Sequence, residues 1–555
     1  MQYEVDLRQY KVRSYDELYN QFHWNLPQYF NIGVAVCDRH AEDRGNRVAI
    51  FYDDGLGNKD YTTFNALRTK SNQLANLLHE LGAKKGDRVG VCLPARPEAV
   101  ISLIAIYKLG GIALSMSSLF GIDAITYRLR DSQAKILIVE GSREDVRKIT
   151  GEIPSLKHVI VIEEDRLLTN EVPFNEIHTL SSNFDPVKTE IMDPAQLFYT
   201  SGTTGPPKGT LHAHSFLLGH IPCYQLYFNM APREDDVFWT PADWGWIGAL
   251  GDVVLPSLYF GMPVVAYRRV GRFEPEEALS IMEEYKVTCA FIPPTALRMI
   301  RKTYEEPSKE FDLKLRAISS AGESVGAELV RWGYEKLKVP INEFYGCTEA
   351  NLVVVMSPDI MKVKPGAMGK PVPGHVVEVI DEAGNVLPPN QIGQIVVKRP
   401  DPVMFLEYWN NPEATKKKFM GDWFLMGDLG YKDEDGYIWF KSRADDVIKT
   451  AAYRIGPEEV EHIINSHPAV LESAVISKPD PLRGSIIKAF VVVKEGYETS
   501  DQLKSEIRQL VKDRLAKYAY PREIEFIDSI PKTVTGKIKR YELRERETRK
   551  SLSPA

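Results

Sequence analysis

The chain has 555 residues, 44% of them hydrophobic and 26% charged, which is ample for several cores and too apolar for a disordered protein. A net charge of −7 leaves no basic excess for nucleic acid or an anionic membrane surface. Five scattered cysteines (Cys37, Cys92, Cys223, Cys289 and Cys347) form no Cys-x-x-Cys pair, so a disulfide scaffold and a zinc site are excluded and a reducing, cytoplasmic setting is expected.

Met1 to Arg8 lacks the basic-then-apolar pattern of a secretory signal. Arg47 to Tyr52 is a β-rich run closed by Asp53-Asp54-Gly55. From Thr63 to Leu81, Leu67, Leu74, Leu77, Leu78 and Leu81 fall at helical spacing, and Gly82 is the stop. Arg88 to Leu93 reads as a strand, Pro97 to Leu109 as a helix and Ile112 to Met116 as a short strand. The most apolar stretch, Ala99 to Met116, is broken by Lys108 and Gly110-Gly111, so it reads as a buried helix and strand and not as a membrane span. Asp123 to Asp131 reads as a helix and Ile136 to Glu140 as a strand. Val253 to Arg268 and Val287 to Ile318 continue the alternation. Nearly all-apolar strands separated by helices mean parallel sheets covered on both faces, an α/β class.

From about Gly436 the elements shorten and mix. Pro457-Glu458-Glu459 opens a helix, with proline in its first turn and acids at its positive end. Ser473 to Ser477 and Ile486 to Lys494 read as strands, Asp501 to Leu515 as a helix and Glu523 to Ile527 as a strand, together a small α+β domain. Arg540 to Ala555 is charge-rich, ends in Ser-Pro-Ala and is expected to fray.

Tyr199-Thr-Ser-Gly-Thr-Thr-Gly-Pro-Pro-Lys-Gly-Thr210 packs small hydroxyl residues and three glycines around Lys208. Glycines let the main chain approach a ligand closely, and successive N–H groups with hydroxyls cradle phosphate oxygens. The motif is not a Walker loop. Pro207 stands where the second Walker glycine belongs, and Pro206-Pro207 blocks a helix from starting there. The apolar run Ala195 to Tyr199 leads in as a buried strand.

Further motifs follow in order: Ala321-Gly322-Glu323-Ser324, Glu343-Phe-Tyr-Gly-Cys-Thr-Glu349, Gly427-Asp428-Leu429-Gly430, Ser442-Arg443-Ala444-Asp445-Asp446, Tyr453-Arg454-Ile455-Gly456 and Pro531-Lys-Thr-Val-Thr-Gly-Lys537. In this order the set resembles the adenylate-forming (AMP-binding) superfamily of acyl-CoA synthetases, peptide-synthetase adenylation domains and beetle luciferases. The likeness runs from about Val48 to Arg540 and is nearest the acetyl- and medium-chain acyl-CoA synthetase branch. It implies a large N-terminal domain of several subdomains with mostly parallel sheets, residues 1–444. A small mobile α+β domain, residues 445–555, follows, with its hinge near Asp445.

The resemblance also implies a chemistry. A carboxylic acid attacks the α-phosphate of ATP, and the thiol of coenzyme A then displaces AMP from the acyl adenylate. Two anions meet in the first step, so cations and N–H donors are needed where charge develops, and Mg2+ on the phosphates is implied. By resemblance Thr200, Ser201, Gly202, Thr203, Thr204, Gly205 and Lys208 hold the β- and γ-phosphates. Gly322, Glu323 and Ser324 form the backbone on which adenine stacks. Glu343, Phe344, Tyr345, Gly346 and Cys347 lead to Thr348 at the α-phosphate and Glu349 at the metal. Asp428, supported by Arg443, takes the ribose hydroxyls. Lys537 serves the adenylation transition state, and Arg454 faces phosphate. Ala451, Ala452 and Tyr453 face coenzyme A, and Trp246, Ile247, Gly248 and Gly346 wall the acyl pocket.

Two departures from the family pattern bear on substrate. Ala452 replaces the glycine usual before the Tyr-Arg pair. Gly346 stands where acetate-specific members carry a tryptophan that closes the pocket, so an acid longer than acetate is implied. No carrier domain follows Lys537, which places transfer to a carrier-protein thiol second to coenzyme A. The implied partners are therefore small molecules, with neither nucleic acid nor membrane, and a homo-oligomer is left open.

Overall fold

The computed structural model describes residues 3–164, 166–200, 206–269, 271–444, 446, 448–450, 453–480, 484–514, 519–532 and 536–552. They divide into two compact units. The larger holds the described residues through Val377, Pro206 excepted, together with Val397–Phe424, and the smaller holds Pro206, Glu378–Val396 and the described residues from Leu425 onward.

Two sheets dominate the larger unit. The first runs in the order Glu407–Tyr408, Lys208–Ala213, Pro194–Thr200, Ile112–Ser115, Arg88–Cys92, Ile136–Glu140, His158–Ile162 and Glu171–Pro173. Its neighbours from Pro194–Thr200 onward are parallel. The second runs Lys370–Pro371, Ala350–Val355, Ile341–Cys347, Ala317–Ser320, Cys289–Phe291, Phe238–Trp239, Val264–Tyr267, Val48–Asp53 and Lys59–Thr63, and is parallel from Ile341–Cys347 to Val48–Asp53.

Local sequence explains these elements. Ile136–Glu140 is buried at every position, as a strand covered on both faces must be. The helix Phe64–Glu80 starts where the Thr63 side chain accepts from the Ala66 N–H at 3.2 Å, an N-cap that satisfies one otherwise orphan donor. Pro97–Lys108 begins on a proline, and the strand Ile112–Ser115 follows it. Lys108, which interrupts that apolar run, is fully buried yet satisfied by Asp38 at 2.6 Å, Asn72 at 2.7 Å and Ser71 at 3.0 Å. Among the described residues no helix is long and apolar enough to cross a membrane.

In the smaller unit, Val470–Asp480 pairs antiparallel with Gly484–Val493, which runs parallel to Glu523–Phe526. Helices Pro457–Asn465 and Asp501–Arg514 supply the facing core residues Val460, Ile464, Leu503, Ile507 and Val511. The short hairpin Ile448–Thr450 with Tyr453–Ile455 joins the same core through Ile448 and Ile455.

The tail corrects the sequence expectation of fraying. Arg540–Leu552 is a helix. Its few apolar residues are placed to count, because Leu543 is 2% exposed against Phe490, Ile476 and Ile530. Its charges are paired inward. Lys488 meets Glu547 at 2.8 Å, and Arg540 reaches Glu461 at 2.7 Å and Asp446 at 3.2 Å. Arg544 binds Asp446 at 2.7 Å. Charge-rich composition hid a helix held by specific buried partners.

Candidate active site

In open α/β sheets, ligands gather beyond the carboxyl ends of parallel strands. The predicted motifs of the larger unit sit there. The phosphate-loop motif follows Pro194–Thr200, and Thr200 pairs with Lys208 on the returning antiparallel strand. The predicted entering strand is present, and the chain leaves the loop as a strand and not as a helix. Ser201, Gly202, Thr203, Thr204 and Gly205 lie outside the described residues, as do Asp445, Ala451 and Ala452. The side chains of Tyr453 and Arg454 are likewise not described.

Gly322, Glu323 and Ser324 follow Ala317–Ser320. Gly322 has φ of +93°, and a Cβ added there meets no atom within 4 Å, so its face is open to a flat ligand. Glu323 turns the other way. It accepts from the Thr295 N–H at 3.0 Å and from Arg298 at 2.9 Å, while Arg298 also donates to the Ser324 carbonyl at 2.8 Å.

The strand Ile341–Cys347 returns as Ala350–Val355, and Cys347 pairs with Ala350. Thr348 and Glu349 are therefore the tip of a tight hairpin. Glu349 is 8% exposed. Its carboxylate accepts from the Tyr408 hydroxyl, and its carbonyl accepts from the Phe405 N–H at 2.7 Å. Tyr408 pairs with Thr210 on the strand that opens at Lys208, and the Lys208 ammonium lies 5.3 Å from the centre of the Tyr408 ring. One tyrosine thus ties the hairpin carboxylate to the strand leaving the phosphate loop. Burial pushes the Glu349 carboxyl up. The Lys418 ammonium, the Tyr408 hydroxyl and a main-chain N–H outweigh it and hold Glu349 below the usual carboxylate range.

Glu343 has the opposite environment. Burial raises it to about 8, the Val325 N–H and Arg298 notwithstanding, so it is neutral at pH 7. Phe344 points into the core, stacked on Tyr227 at 4.7 Å. His212, fully buried beside the hairpin, is pushed down to about 4 by burial, against the opposing pull of Glu349 and the Thr348 main chain, so a neutral imidazole lies behind the carboxylate. The hairpin can supply a single fixed negative charge. Mg2+ binds through one or two carboxylates plus substrate phosphates, and Glu349, buried and ionised, fits that donor set. Among the described residues no cluster of three metal-ligating side chains exists.

The proposed acyl wall is also assembled in this unit. Asp243 accepts from the Gly245 N–H at 2.7 Å and from the Ser117 hydroxyl at 3.0 Å. A Cβ on Gly245 would stand 2.2 Å from the Ser117 nitrogen, so the Trp244–Trp246 turn seats directly on the end of the first sheet. Trp246 meets Phe120 edge-on at 5.5 Å. Gly248 lies between Phe291 and Asp252, 3.5 and 3.7 Å from its ideal Cβ position.

Gly346 answers to a different constraint from the one its sequence implied. Its φ lies outside the left-handed region, and a Cβ there would stand 2.4 Å from the Leu352 nitrogen and 2.8 Å from the Asn351 Cα. Leu352 itself has φ of +58°. The glycine permits two main-chain segments to touch, so an indole at 346 has no free space to fill unless the strand moves. Gly346→Ala is expected to cost roughly 1–3 kcal/mol of stability, as overpacking does. It should lower the thermal midpoint along with activity, and an unchanged midpoint would show that the turn yields.

In the smaller unit Asp428 and Arg443 are cross-strand partners. Arg443 donates to the Asp428 carboxylate at 3.1 Å, and Asp428 is 5% exposed. Gly427 has φ of +85°, and its carbonyl accepts from the Ala444 N–H at 2.9 Å. Lys537 is exposed, after Gly536 at φ of +87°. Its loop is closed at the base by the Lys532–Ile538 bridge and by the Lys539 N–H donating to the Pro531 carbonyl at 2.8 Å.

Sequence reasoning missed Tyr408 and His212. Tyr408 had no local signal, because only strand pairing brings it to Glu349.

Comparison with known proteins identifies the family of the chain. Residues 37–409 match the family described as AMP-binding enzyme, and residues 459–537 match the AMP-binding enzyme C-terminal domain. The chain is 38% identical to the acetyl-coenzyme A synthetase of Bacillus subtilis (strain 168), over 96% of this chain and 95% of that one. It is 36% identical to the mitochondrial acyl-coenzyme A synthetase ACSM3 of Rattus norvegicus, over 96% and 93%. Among solved structures it resembles the anthranilate CoA ligase AuaEII in complex with anthranoyl-AMP, with a TM-score of 0.84, 32% identity and coverage of 95% and 99%.

Proposed function

Since the chain belongs to the AMP-binding enzyme family, we propose that it is an ATP-dependent acid–CoA ligase. The observation that carries this reading is the hairpin carboxylate. Glu349 is kept ionised and is joined through Tyr408 to the strand opening at Lys208.

In the first step an oxygen of the acid attacks the α-phosphorus of ATP. The new P–O bond forms as the bond to the β-phosphate oxygen breaks, and pyrophosphate leaves. In the second, the coenzyme A thiol loses its proton and attacks the acyl carbon, and AMP departs with the C–O bond pair. We assign the segment from Thr200 to Gly205 and Lys208 to the β- and γ-phosphates, Thr348 to the α-phosphate, and the open face of Gly322 to adenine. Asp428, steadied by Arg443, takes the ribose hydroxyls. Glu349 would hold a magnesium ion, which would supply positive charge at the phosphates. Lys537 supplies a cation at the equatorial oxygens during the first step. We assign residues 445–555 to a mobile domain that turns about Asp445. In its second orientation Ala451, Ala452 and Tyr453 meet coenzyme A and Arg454 meets phosphate. A Cβ on Gly346 would meet the Asn351–Leu352 main chain, which removes the sequence-based reason for an acid longer than acetate, so the panel below decides the chain length.

The test is product analysis over straight-chain acids from acetate to decanoate, with branched, hydroxylated and aryl acids added. AMP and pyrophosphate are expected with any accepted acid, and coenzyme A is expected to be consumed in equal amount. ADP with an acyl phosphate would overturn the reading.

A further inference from the structure

One helix of the larger unit holds both shoulders of the phosphate-loop motif. Ile122–Ser132 carries Tyr127, Arg128 and Asp131, which at i, i+1 and i+4 share one side of the helix. The Tyr127 hydroxyl donates to the Pro207 carbonyl at 2.9 Å. Pro207 immediately precedes Lys208, the first residue of the strand Lys208–Ala213. The peptide unit joining them is planar, so fixing its carbonyl also fixes the Lys208 nitrogen and the direction in which the lysine leaves the chain. On the other shoulder, the Tyr199 hydroxyl donates to Asp131 Oδ2 at 2.6 Å. Tyr199 immediately precedes Thr200, and Thr200 pairs with Lys208 across the two strands. The Tyr127 and Tyr199 rings meet edge-on with centroids 6.2 Å apart.

Arg128 completes the clamp. Its guanidinium carbon lies 4.2 Å from the centre of the Phe120 ring and 5.6 Å from that of Tyr199. The residue is 5% exposed, donates to the Ala124 carbonyl at 2.7 Å, and leaves its buried Nε without a hydrogen-bond partner. No carboxylate pairs with it among the described residues. A buried cation without a carboxylate costs stability, which the two ring faces offset only in part. Such a residue is expected where its position serves something besides the fold, and here it lies against the tyrosine that leads into Thr200. The strand makes room for that ring at Gly209, where a Cβ would stand 3.1 Å from Tyr199 Cζ. Trp409 closes the circle. Its indole N–H donates to the Asp131 carbonyl at 3.1 Å, and its main-chain N–H donates to the Gly209 carbonyl at 2.7 Å.

We propose that Tyr127 and Asp131, with Arg128 lying over the Phe120 and Tyr199 rings, are positioning residues for the adenylation step. They fix the main chain on either side of the phosphate-loop motif and so set where Thr200 and Lys208 meet the β- and γ-phosphates of ATP. The inference rests on the ligase reading above and adds residues to it that touch no phosphate themselves. Small displacements of groups that orient a reacting phosphate are costly. Acyl-AMP carries neither a β- nor a γ-phosphate, so thioester formation makes no demand on the clamp. The effect of loosening it therefore falls on one half-reaction.

The experiment compares Tyr127→Phe and Tyr199→Phe with the wild type, each in the full chain, and reads the two half-reactions separately. Each variant removes one hydroxyl and keeps its ring. With the best acid of the panel, kcat/KM for ATP in pyrophosphate release is expected to fall about three- to tenfold, the size of one lost hydrogen bond. Consumption of coenzyme A by supplied acyl-AMP should keep its wild-type rate. An equal fall in both half-reactions, together with a lower thermal midpoint, would show that the hydroxyls only hold the fold, and overturns the proposal. An unchanged kcat/KM for ATP in either folded variant also overturns it and leaves the ligase reading standing. If Tyr199→Phe, at a buried position, does not fold, Tyr127→Phe, at a half-buried one, decides by the same two readings. Pyrophosphate release by the wild type with no acid of any kind sinks the ligase reading and this inference with it.

Discussion

Lys537→Ala is expected to lose adenylation by about two to three orders of magnitude, the usual penalty for removing a preorganised charge from a transition state. Thioester formation from supplied acyl-AMP should survive. The lysine stands exposed beyond Gly536, on a loop whose base is closed by the Lys532–Ile538 bridge. It is therefore a long cation on a fixed stem, and truncating it leaves the stem in place. The two half-reactions are measured separately, as pyrophosphate release and as consumption of coenzyme A by acyl-AMP. Equal damage to both would show that the lysine holds the domain together, or that the domain does not turn.

The second large effect is at the hairpin. Glu349→Gln removes the charge but keeps an oxygen to accept from the Tyr408 hydroxyl, so the fold of the turn is retained. Because Glu349 is held below the usual carboxylate range, its charge is present throughout the neutral region, and its loss is not mimicked by mild acid. We expect adenylation to fall by about two orders of magnitude, with the dependence on magnesium concentration shifted to higher values. Tyr408→Phe should cost much less, about tenfold, since the loss is one hydrogen bond to a charge. Glu349→Gln with a normal rate and an unaltered magnesium titration would remove Glu349 from the reaction.

Local pattern reveals some of this architecture and conceals the rest. Strands such as Ile136–Glu140 were legible because burial on both faces demands an unbroken apolar run, and the helix Phe64–Glu80 because its leucines repeat on one side. The tail Arg540–Leu552 was not, since its helix depends on Glu461, Asp446 and Lys488, which are distant in sequence. In the candidate site, the Thr348-Glu349 turn and the Asp428–Arg443 pair could be placed from motif order. Tyr408 could not, because its role arises from pairing with Thr210. Gly346 was read as an opening of the acyl pocket, but it packs against the Asn351–Leu352 main chain, which no linear pattern encodes.

The ion pairs of Asp446 carry a consequence for timing. Asp446 adjoins the proposed pivot, and Arg540, three residues beyond Lys537, grips both Asp446 and Glu461. The hairpin that ends at Ile455 is set in the same core as Val460 and Ile464, on the helix that bears Glu461. Lys537 and the Tyr453–Arg454 segment are therefore spokes on one wheel. On the proposed rotation neither would advance without withdrawing the other, so adenylation and thioester formation would be mutually exclusive moments of a single turn. Each turnover would then include that turn twice, once forward and once back.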